Sequence, residues 1–362
     1  MAKTPKPDQA RAGYAGEAWF GSGRLKEQID ARVSANNRPN PQGETMPPRH
    51  LPDPLDSIRT EIDTGAGRIA CYSGRSGTPE KEKTPLLLIH SVNAAASAFE
   101  VKPLFDHYKQ IRPVYALDLP GFGQSERSDR AYTIRVMVDA ILAVVSKISL
   151  KHALPIDAMA LSLSCEFLAR AGVEDPARFR SLALISPTGF EGRARDESGG
   201  TRGKEWMRRS LNCPLWSRPL FSAMTVKPVI RKFLEKTWGS KAIDQPLLNY
   251  DCQSAHQPGA EHAPYYFVSG HLFSKDILRV YQALELPVWM VRGTRGDFVD
   301  YHHATRLKDR ENWTFDIFDS GAFPHYEKLP ELVGSYERFL EIALRFRNQK
   351  TASRKAPLQI AN

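Results

Sequence analysis

The stretch PVYALDLPGFGQS (113–125) joins a short apolar run to a turn rich in glycine and proline. An earlier run, PLLLIHS (85–91), is followed by a predicted helix at about 95–109. Continuous apolar runs of this length are typical of central strands that are buried on both faces. The segment TIRVMVDAILAVVSKI (133–148) then places apolar residues on one face of a helix. The sequence therefore predicts an α/β protein in which strands alternate with helices to give a mostly parallel sheet flanked by helices.

The sequence predicts four regions along the chain. Eight prolines before Leu55 oppose regular structure, so residues 1–54 are expected to form an extended N-terminal arm. Residues 55–190 and 278–345 contain a hairpin from Ile58 and the repeating strand and helix pattern of the core. The interval 191–277 breaks that rhythm and is predicted to be a mainly helical cap insertion over the sheet. Residues 346–362 are expected to be a basic tail.

Composition excludes several classes of protein. The 362 residues carry a net charge of +9, but five of the basic groups lie in the last eighteen residues, and no nucleic-acid-binding motif is present. No apolar run approaches the length that spans a bilayer, and the N-terminus lacks the apolar core of a signal peptide. Because the four cysteines are widely separated, we expect reduced thiols. Since neither a spanning run nor a signal peptide is recognised, we expect a cytoplasmic protein.

Ser162 lies where the strand IDAMAL (156–161) meets the next helix, in the pattern A-x-S-x-S (160–164). A serine on such a sharp turn has its hydroxyl lifted clear of the sheet, beside the backbone N–H of the next residue. Small residues replace both glycines of the usual G-x-S-x-G motif. A serine between a strand and a helix is also a common helix cap, so the motif alone leaves both interpretations open.

Three further motifs favour the first interpretation. HSVNA (90–94) ends one strand, DLPGFGQS (118–125) closes the next, and GTRGD (293–297) follows the penultimate strand. With these motifs the chain resembles the α/β-hydrolase superfamily over roughly residues 57–345. The resemblance implies an α/β-hydrolase fold with a helical cap. It also implies that Ser162 is the nucleophile and that the N–H groups of Val92 and Leu163 form the oxyanion hole, with His90 and Ser91 lining the site.

The same resemblance implies a catalytic acid and a catalytic base. Asp297 fits the acid position, and Asp300 is its rival. The usual G-H-x-P-x-x-E-x-P pattern is here GAFPHYEKLP (321–330), so that Ala322 takes the expected histidine position. His325, three residues later, is the only histidine after the last strand and is predicted to be the base. Otherwise one of three other histidines would have to fill that place: His90, His256 or His271.

The leading hypothesis is therefore a carboxylesterase-like serine hydrolase that cleaves an ester or related acyl bond of a fairly apolar small molecule. Acyl transfer and perhydrolysis use the same triad and stay open. The alternative is a non-catalytic ligand- or partner-binding protein on the same scaffold, prompted by the altered motifs. No metal or cofactor motif is present, so we expect neither. Aromatic and basic residues are interleaved over residues 206–238. The aromatic residues suit an acyl chain, and the basic residues suit an anionic substrate or a membrane surface.

Overall fold

The computed structural model describes residues 51–74, 83–192 and 199–355. The predicted N-terminal arm lies outside these ranges apart from residues 51–54, as do the last seven residues of the predicted tail. Within the described residues, no helix is both long enough and apolar enough to cross a bilayer.

The described residues contain eight strands, which alternate with helices from β3 onward, as the sequence predicts. The strands are β1 (Ile58–Thr64), β2 (Gly67–Ser73), β3 (Leu86–Ile89), β4 (Val114–Leu117), β5 (Ile156–Leu161), β6 (Phe179–Ile185), β7 (Val288–Gly293) and β8 (Trp313–Phe318). The helices are α1 (Lys102–Tyr108), α2 (Ile134–His152), α3 (Ser164–Glu174), α4 (Glu205–Leu211), α5 (Ser217–Met224), α6 (Lys227–Trp238), α7 (Gln245–Ala255), α8 (His262–Val268), α9 (Ile277–Ala283), α10 (Pro324–Glu327) and α11 (Leu329–Lys355). Short 3₁₀ turns cover Ala98–Val101, Pro176–Arg178 and His302–Leu307.

The strands form one sheet in the order β1-β2-β4-β3-β5-β6-β7-β8. Strand β2 pairs antiparallel with β1 and with β4, and every pair from β4 to β8 is parallel. Strand β5 lies between β3 and β6, and all of its residues are buried. In an open parallel sheet, ligands bind beyond the carboxyl ends of the strands. The residues that follow β3, β5, β7 and β8 therefore surround the candidate site.

Local chemistry accounts for the long helix that covers the sheet. The Thr133 side chain accepts a hydrogen bond from the Val136 amide at 3.2 Å and caps the start of α2. The helix buries an apolar face that includes Met137, Ile141 and Val145, as its spacing predicts. It ends at Ala153 in the left-handed conformation that terminates many helices.

In the described part of the interval between β6 and α9, there are five helices, α4 to α8. Several of their residues touch the loops at the carboxyl edge of the sheet. The Tyr250 ring stacks on Phe99 with 4.8 Å between centroids, and the Arg127 guanidinium donates to the Ser254 carbonyl at 2.9 Å. These helices thus border the candidate site. At the other end of the chain, α11 continues past residue 346, the predicted start of the tail, and the Arg347 side chain donates to the Phe179 carbonyl.

Candidate active site

The turn after β5 holds Ser162 in a strained conformation. Its φ of 51° lies in the left-handed region, where a side chain other than glycine costs roughly 1–2 kcal/mol. The Ser162 amide donates to the Ile185 carbonyl at 2.8 Å, which ties the turn to the end of β6. Helix α3 starts two residues later, and Leu163 between them is buried. Strain of this kind is concentrated at functional sites, and a helix cap does not require it.

The small residues on either side of Ser162 are part of the packing. Ser164, which replaces the second glycine of the motif, is buried, and its hydroxyl donates to the His90 carbonyl at 2.6 Å. The Cys165 thiol lies 3.2 Å from the Ala160 carbonyl oxygen, within hydrogen-bond range for sulfur. The hydroxyl of Ser164 therefore joins the start of α3 to the loop after β3, a contact that glycine could not make.

His90 holds the loop after β3 through both of its ring nitrogens. Its Nε2 accepts from the Leu119 amide at 2.9 Å, which places the proton on Nδ1, and Nδ1 donates to the Ser91 carbonyl. Both ring nitrogens are thereby used, and burial lowers the pKa of His90. His90 is therefore neutral and serves as a structural support.

Glu100 is the buried acid at the centre of this loop, and the sequence motifs did not identify it. Its carboxylate accepts from the Ser91 amide at 2.7 Å, the Ser91 hydroxyl at 3.0 Å and the Asn93 side-chain amide at 2.7 Å. The Ser91 hydroxyl is thus committed to Glu100 and does not add a donor to an oxyanion hole. These bonds fix the residues on either side of Val92.

Replacing Glu100 by Gln is expected to change how stability depends on pH. Burial raises the pKa of Glu100 to about 7, although its bonds to Ser91 and Asn93 oppose the shift. Because the folded protein then holds a proton that the unfolded chain releases near pH 4.5, Glu100 lowers stability as pH rises from about 4.5 to 7. The free energy of unfolding of the wild type minus that of Glu100→Gln should therefore fall by about 3 kcal/mol over this range.

Urea unfolding at a series of pH values measures that difference. Glu311→Gln, at an exposed position, is the control and should give a difference that does not vary with pH. Comparing each variant with the wild type removes the contribution of other buried groups. A constant difference for Glu100→Gln would show that Glu100 titrates as an ordinary glutamate.

The DLPGFGQS motif holds the neighbouring loops together. The Asp118 carboxylate accepts from the Tyr72 hydroxyl at 2.6 Å and from the amides of Ala98 and Gln124, each at 2.7 Å. Gly123 has φ of 50°, and a Cβ there would lie 2.0 Å from the Asp118 carboxyl carbon. The motif therefore requires glycine at this position and supports the site without reaching into it.

Asp297 follows β7, as predicted, but its carboxylate is half exposed and pairs with the Lys236 ammonium at 3.2 Å. Its amide donates to the Lys236 carbonyl at 3.2 Å, so both contacts are with the end of α6. The rival Asp300 is also exposed and accepts from the amides of Gly192 and His302. Neither carboxylate makes a hydrogen bond to His325 in this structure.

His325 lies in α10 and is fully buried. Its Nε2 donates to the Glu100 backbone carbonyl at 2.8 Å, and its Nδ1 has no hydrogen-bond partner among the residues the structure describes. Burial lowers the pKa of His325 to about 4, so the ring is neutral near pH 7. The structure therefore does not link His325 to Ser162 or Asp297 by hydrogen bonds.

Ala322 occupies the position where the family pattern has histidine. Its carbonyl accepts from the Ser186 hydroxyl at 2.7 Å, and its amide donates to the Thr237 carbonyl at 2.8 Å. The buried Trp238 packs on Phe323 with 5.2 Å between ring centroids. The end of α6 thus covers the loop after β8, a contact that the sequence motifs gave no sign of.

The remaining histidines considered from the sequence have other partners. His256 is exposed, and its Nδ1 lies 2.6 Å from the Cys252 carbonyl oxygen. His271 lies 2.8 Å from the Ser269 hydroxyl and 3.4 Å from the Glu205 carboxylate. Among the described residues, no group of three or more His, Cys, Asp or Glu side chains is arranged to hold a metal ion.

Comparison with known proteins identifies the family. The model of the alpha/beta hydrolase family matches residues 86–333. The chain is 29% identical over 150 residues to the 1-acylglycerol-3-phosphate O-acyltransferase ABHD5 of Rattus norvegicus and of Mus musculus. That match covers 40% of this chain and only 38% of either relative.

Solved structures share the fold at low sequence identity. A candidate lipase (lip1) of Acinetobacter baumannii AYE matches with a TM-score of 0.60 and 19% identity, over 81% of this chain and 93% of its own. A membrane phospholipase A matches with a TM-score of 0.57 and 19% identity, over 91% and 94% of the two chains. Together with the sheet order and the strained turn at Ser162, the match over residues 86–333 shows that the chain belongs to the alpha/beta hydrolase family.

Proposed function

We propose that this protein hydrolyses an ester or related acyl bond of a fairly apolar small molecule, with Ser162 as the nucleophile. The positive φ of Ser162 at the end of β5 carries the proposal. That conformation directs the hydroxyl away from the sheet at the edge where parallel sheets bind ligands. Attack of the hydroxyl on the substrate carbonyl forms an acyl-enzyme and breaks the bond to the leaving group, which departs with the proton that the hydroxyl has lost. Water then cleaves the acyl-enzyme, releasing the acid and restoring the hydroxyl.

The N–H groups of Val92 and Leu163 are the proposed oxyanion donors. Leu163 follows the nucleophile directly, and Val92 lies in the loop that His90 and Glu100 hold in place. Rigid support matters because donors that are fixed before the reaction need no reorganisation as negative charge develops. Loss of one such donor typically costs about 3–4 kcal/mol of transition-state stabilisation.

His325 is the proposed base and Asp297 the proposed acid of the triad. His325 is neutral at pH 7, which is the state that accepts a proton. For Nε2 to accept the Ser162 proton while Nδ1 faces Asp297, the ring must give up its bond to the Glu100 carbonyl, and the Asp297 carboxylate must turn from Lys236. We therefore propose that substrate binding is coupled to movement of the end of α6, which contacts the loops carrying both residues.

The second candidate function is non-catalytic binding of an apolar ligand. Two observations favour it, namely the alanine at position 322 and the engagement of His325 with Glu100. A protein of this kind would bind its ligand over Ser162 without cleaving it. The two functions predict different reactivity of the same hydroxyl.

Labelling with a fluorophosphonate probe separates the two functions. Such probes form a covalent bond only with a serine hydroxyl that a base activates. A hydrolase should be labelled stoichiometrically at Ser162, as located by mass spectrometry, while Ser162→Ala takes up no label. Ser222→Ala, at an exposed position on α5, is the matched control and should label like the wild type. An unlabelled wild type with an intact circular dichroism spectrum would favour the binding protein.

A further inference from the structure

Three large apolar side chains project into solvent from one short segment, α4 and the loop after it. Trp206 is 69% exposed, Leu215 84% and Trp216 47%. Single exposed apolar residues are common on protein surfaces, but clusters of them mark interaction sites. We call these three residues the Trp206 patch.

A hydrogen bond ties Trp216 to the helix that carries Trp206. The Trp216 indole N–H donates to the Ser210 carbonyl at 2.9 Å, which holds Trp216 against the end of α4. Trp206 lies one helical turn before Ser210 and therefore shares its face of the helix. The indole N–H is satisfied within the protein, so the part of Trp216 left to solvent is mainly its apolar ring.

The patch is not an uncovered part of the core. Helix α5 buries Phe221 and Met224, and α4 buries Leu211, so each helix has an apolar face turned inward. The Trp206 patch is additional apolar surface outside that packing. No described part of the chain shields these three side chains from water.

The surroundings of the patch are strongly basic. Lys204, Arg209 and Arg218 are exposed around it. Over residues 201–236 the sequence has nine Lys and Arg against two Asp and Glu. One of those acids, Glu205, already pairs with Arg208 and Arg209. A partner with negative charge is therefore favoured.

We infer that the Trp206 patch docks the protein on the surface of an anionic lipid bilayer. Tryptophan rings suit the boundary between lipid headgroups and acyl chains, and leucine inserts beside them. The Lys and Arg side chains around the Trp206 patch attract the negatively charged surface of the lipid leaflet. This inference does not depend on the reaction at Ser162.

Charge also argues against a second copy of the chain as the occupant. In a symmetric dimer the same patch would face itself, bringing the basic groups Lys204, Arg209 and Arg218 of one copy towards those of the other. Like charges that meet across an interface oppose association. An anionic bilayer neutralises the same groups, so it fits the patch better.

Co-sedimentation of the full chain with lipid vesicles tests the inference. Vesicles of equal parts phosphatidylcholine and phosphatidylglycerol should pull down the wild type, whereas pure phosphatidylcholine vesicles should bind it much less. Trp206→Ser with Leu215→Ser should lower the partition coefficient at least tenfold, and high ionic strength should weaken binding of the wild type. Trp216 is left in place because its indole bonds to Ser210.

A matched pair of substitutions provides the control. Leu150 on α2 and Leu344 on α11 are 76% and 52% exposed and lie in other elements. Leu150→Ser with Leu344→Ser should bind vesicles like the wild type. Equal binding by the wild type and the Trp206 patch variant would overturn the inference. The inference would also be wrong if the wild type did not bind anionic vesicles. It would equally be wrong if the wild type sedimented as a dimer and the Trp206 patch variant as a monomer.

Discussion

Ser162→Ala should abolish hydrolysis of p-nitrophenyl acyl esters, with kcat falling by a factor of about 10⁴ or more. The hydroxyl is the atom that would bond to the substrate, so no neighbouring group can replace it. Alanine keeps the backbone strain and the amide bond to Ile185, and the fold should be preserved. Steady-state kinetics and thermal unfolding of the same preparation measure both effects.

Ser162→Gly separates the strain from the chemistry. Glycine adopts φ near 51° without the steric penalty of a side chain, so this variant should be inactive yet stabler than Ser162→Ala by about 1 kcal/mol. Activity that persists at the wild-type level in pure Ser162→Ala would remove Ser162 from the mechanism. Equal stability of the alanine and glycine variants would show that the turn stores no strain.

The fold was predictable because its signals are local. The run at 85–91 and the helical spacing at 133–148 each reflect burial that a single element needs, and both became the expected elements, β3 and α2. The hairpin of β1 and β2 is local in another way, because a short turn separates two runs that contain β-branched residues. Local burial patterns, repeated along the chain, therefore specify the alternation of strands and helices that defines the sheet.

The support of the candidate site was not predictable, because it depends on contacts between distant segments. Nothing near Glu100 in the sequence indicates that its carboxylate accepts three hydrogen bonds from Ser91 and Asn93. The packing of Trp238 on the loop after β8 links residues more than eighty positions apart. Motifs locate the strained turn at Ser162 well because that turn is local. The partners that loops would bring to it depend instead on contacts between distant segments.

His325→Gln should lower the rate of acylation by two to four orders of magnitude if His325 removes the proton from Ser162. Glutamine can still donate a hydrogen bond to the Glu100 carbonyl, so it preserves the buried contact that the structure shows. It cannot accept and return a proton as imidazole does. Single-turnover kinetics with a p-nitrophenyl ester measure acylation directly, and His256→Gln, at an exposed position, is the matched control.

The pH profile distinguishes a base from a structural residue at this position. Because the pKa of His325 is about 4, the ring is already neutral above pH 5, and kcat/KM of the wild type should be level from there to neutral pH. Below pH 5 the rate should fall as the ring takes up a proton. If His325 only fills its buried site, His325→Gln should keep the activity of the wild type and the same dependence of kcat/KM on pH. A profile that instead rises near pH 6.5 would mean that the reacting histidine is exposed to water, and the ring would then have left the contact with Glu100 before the substrate arrives.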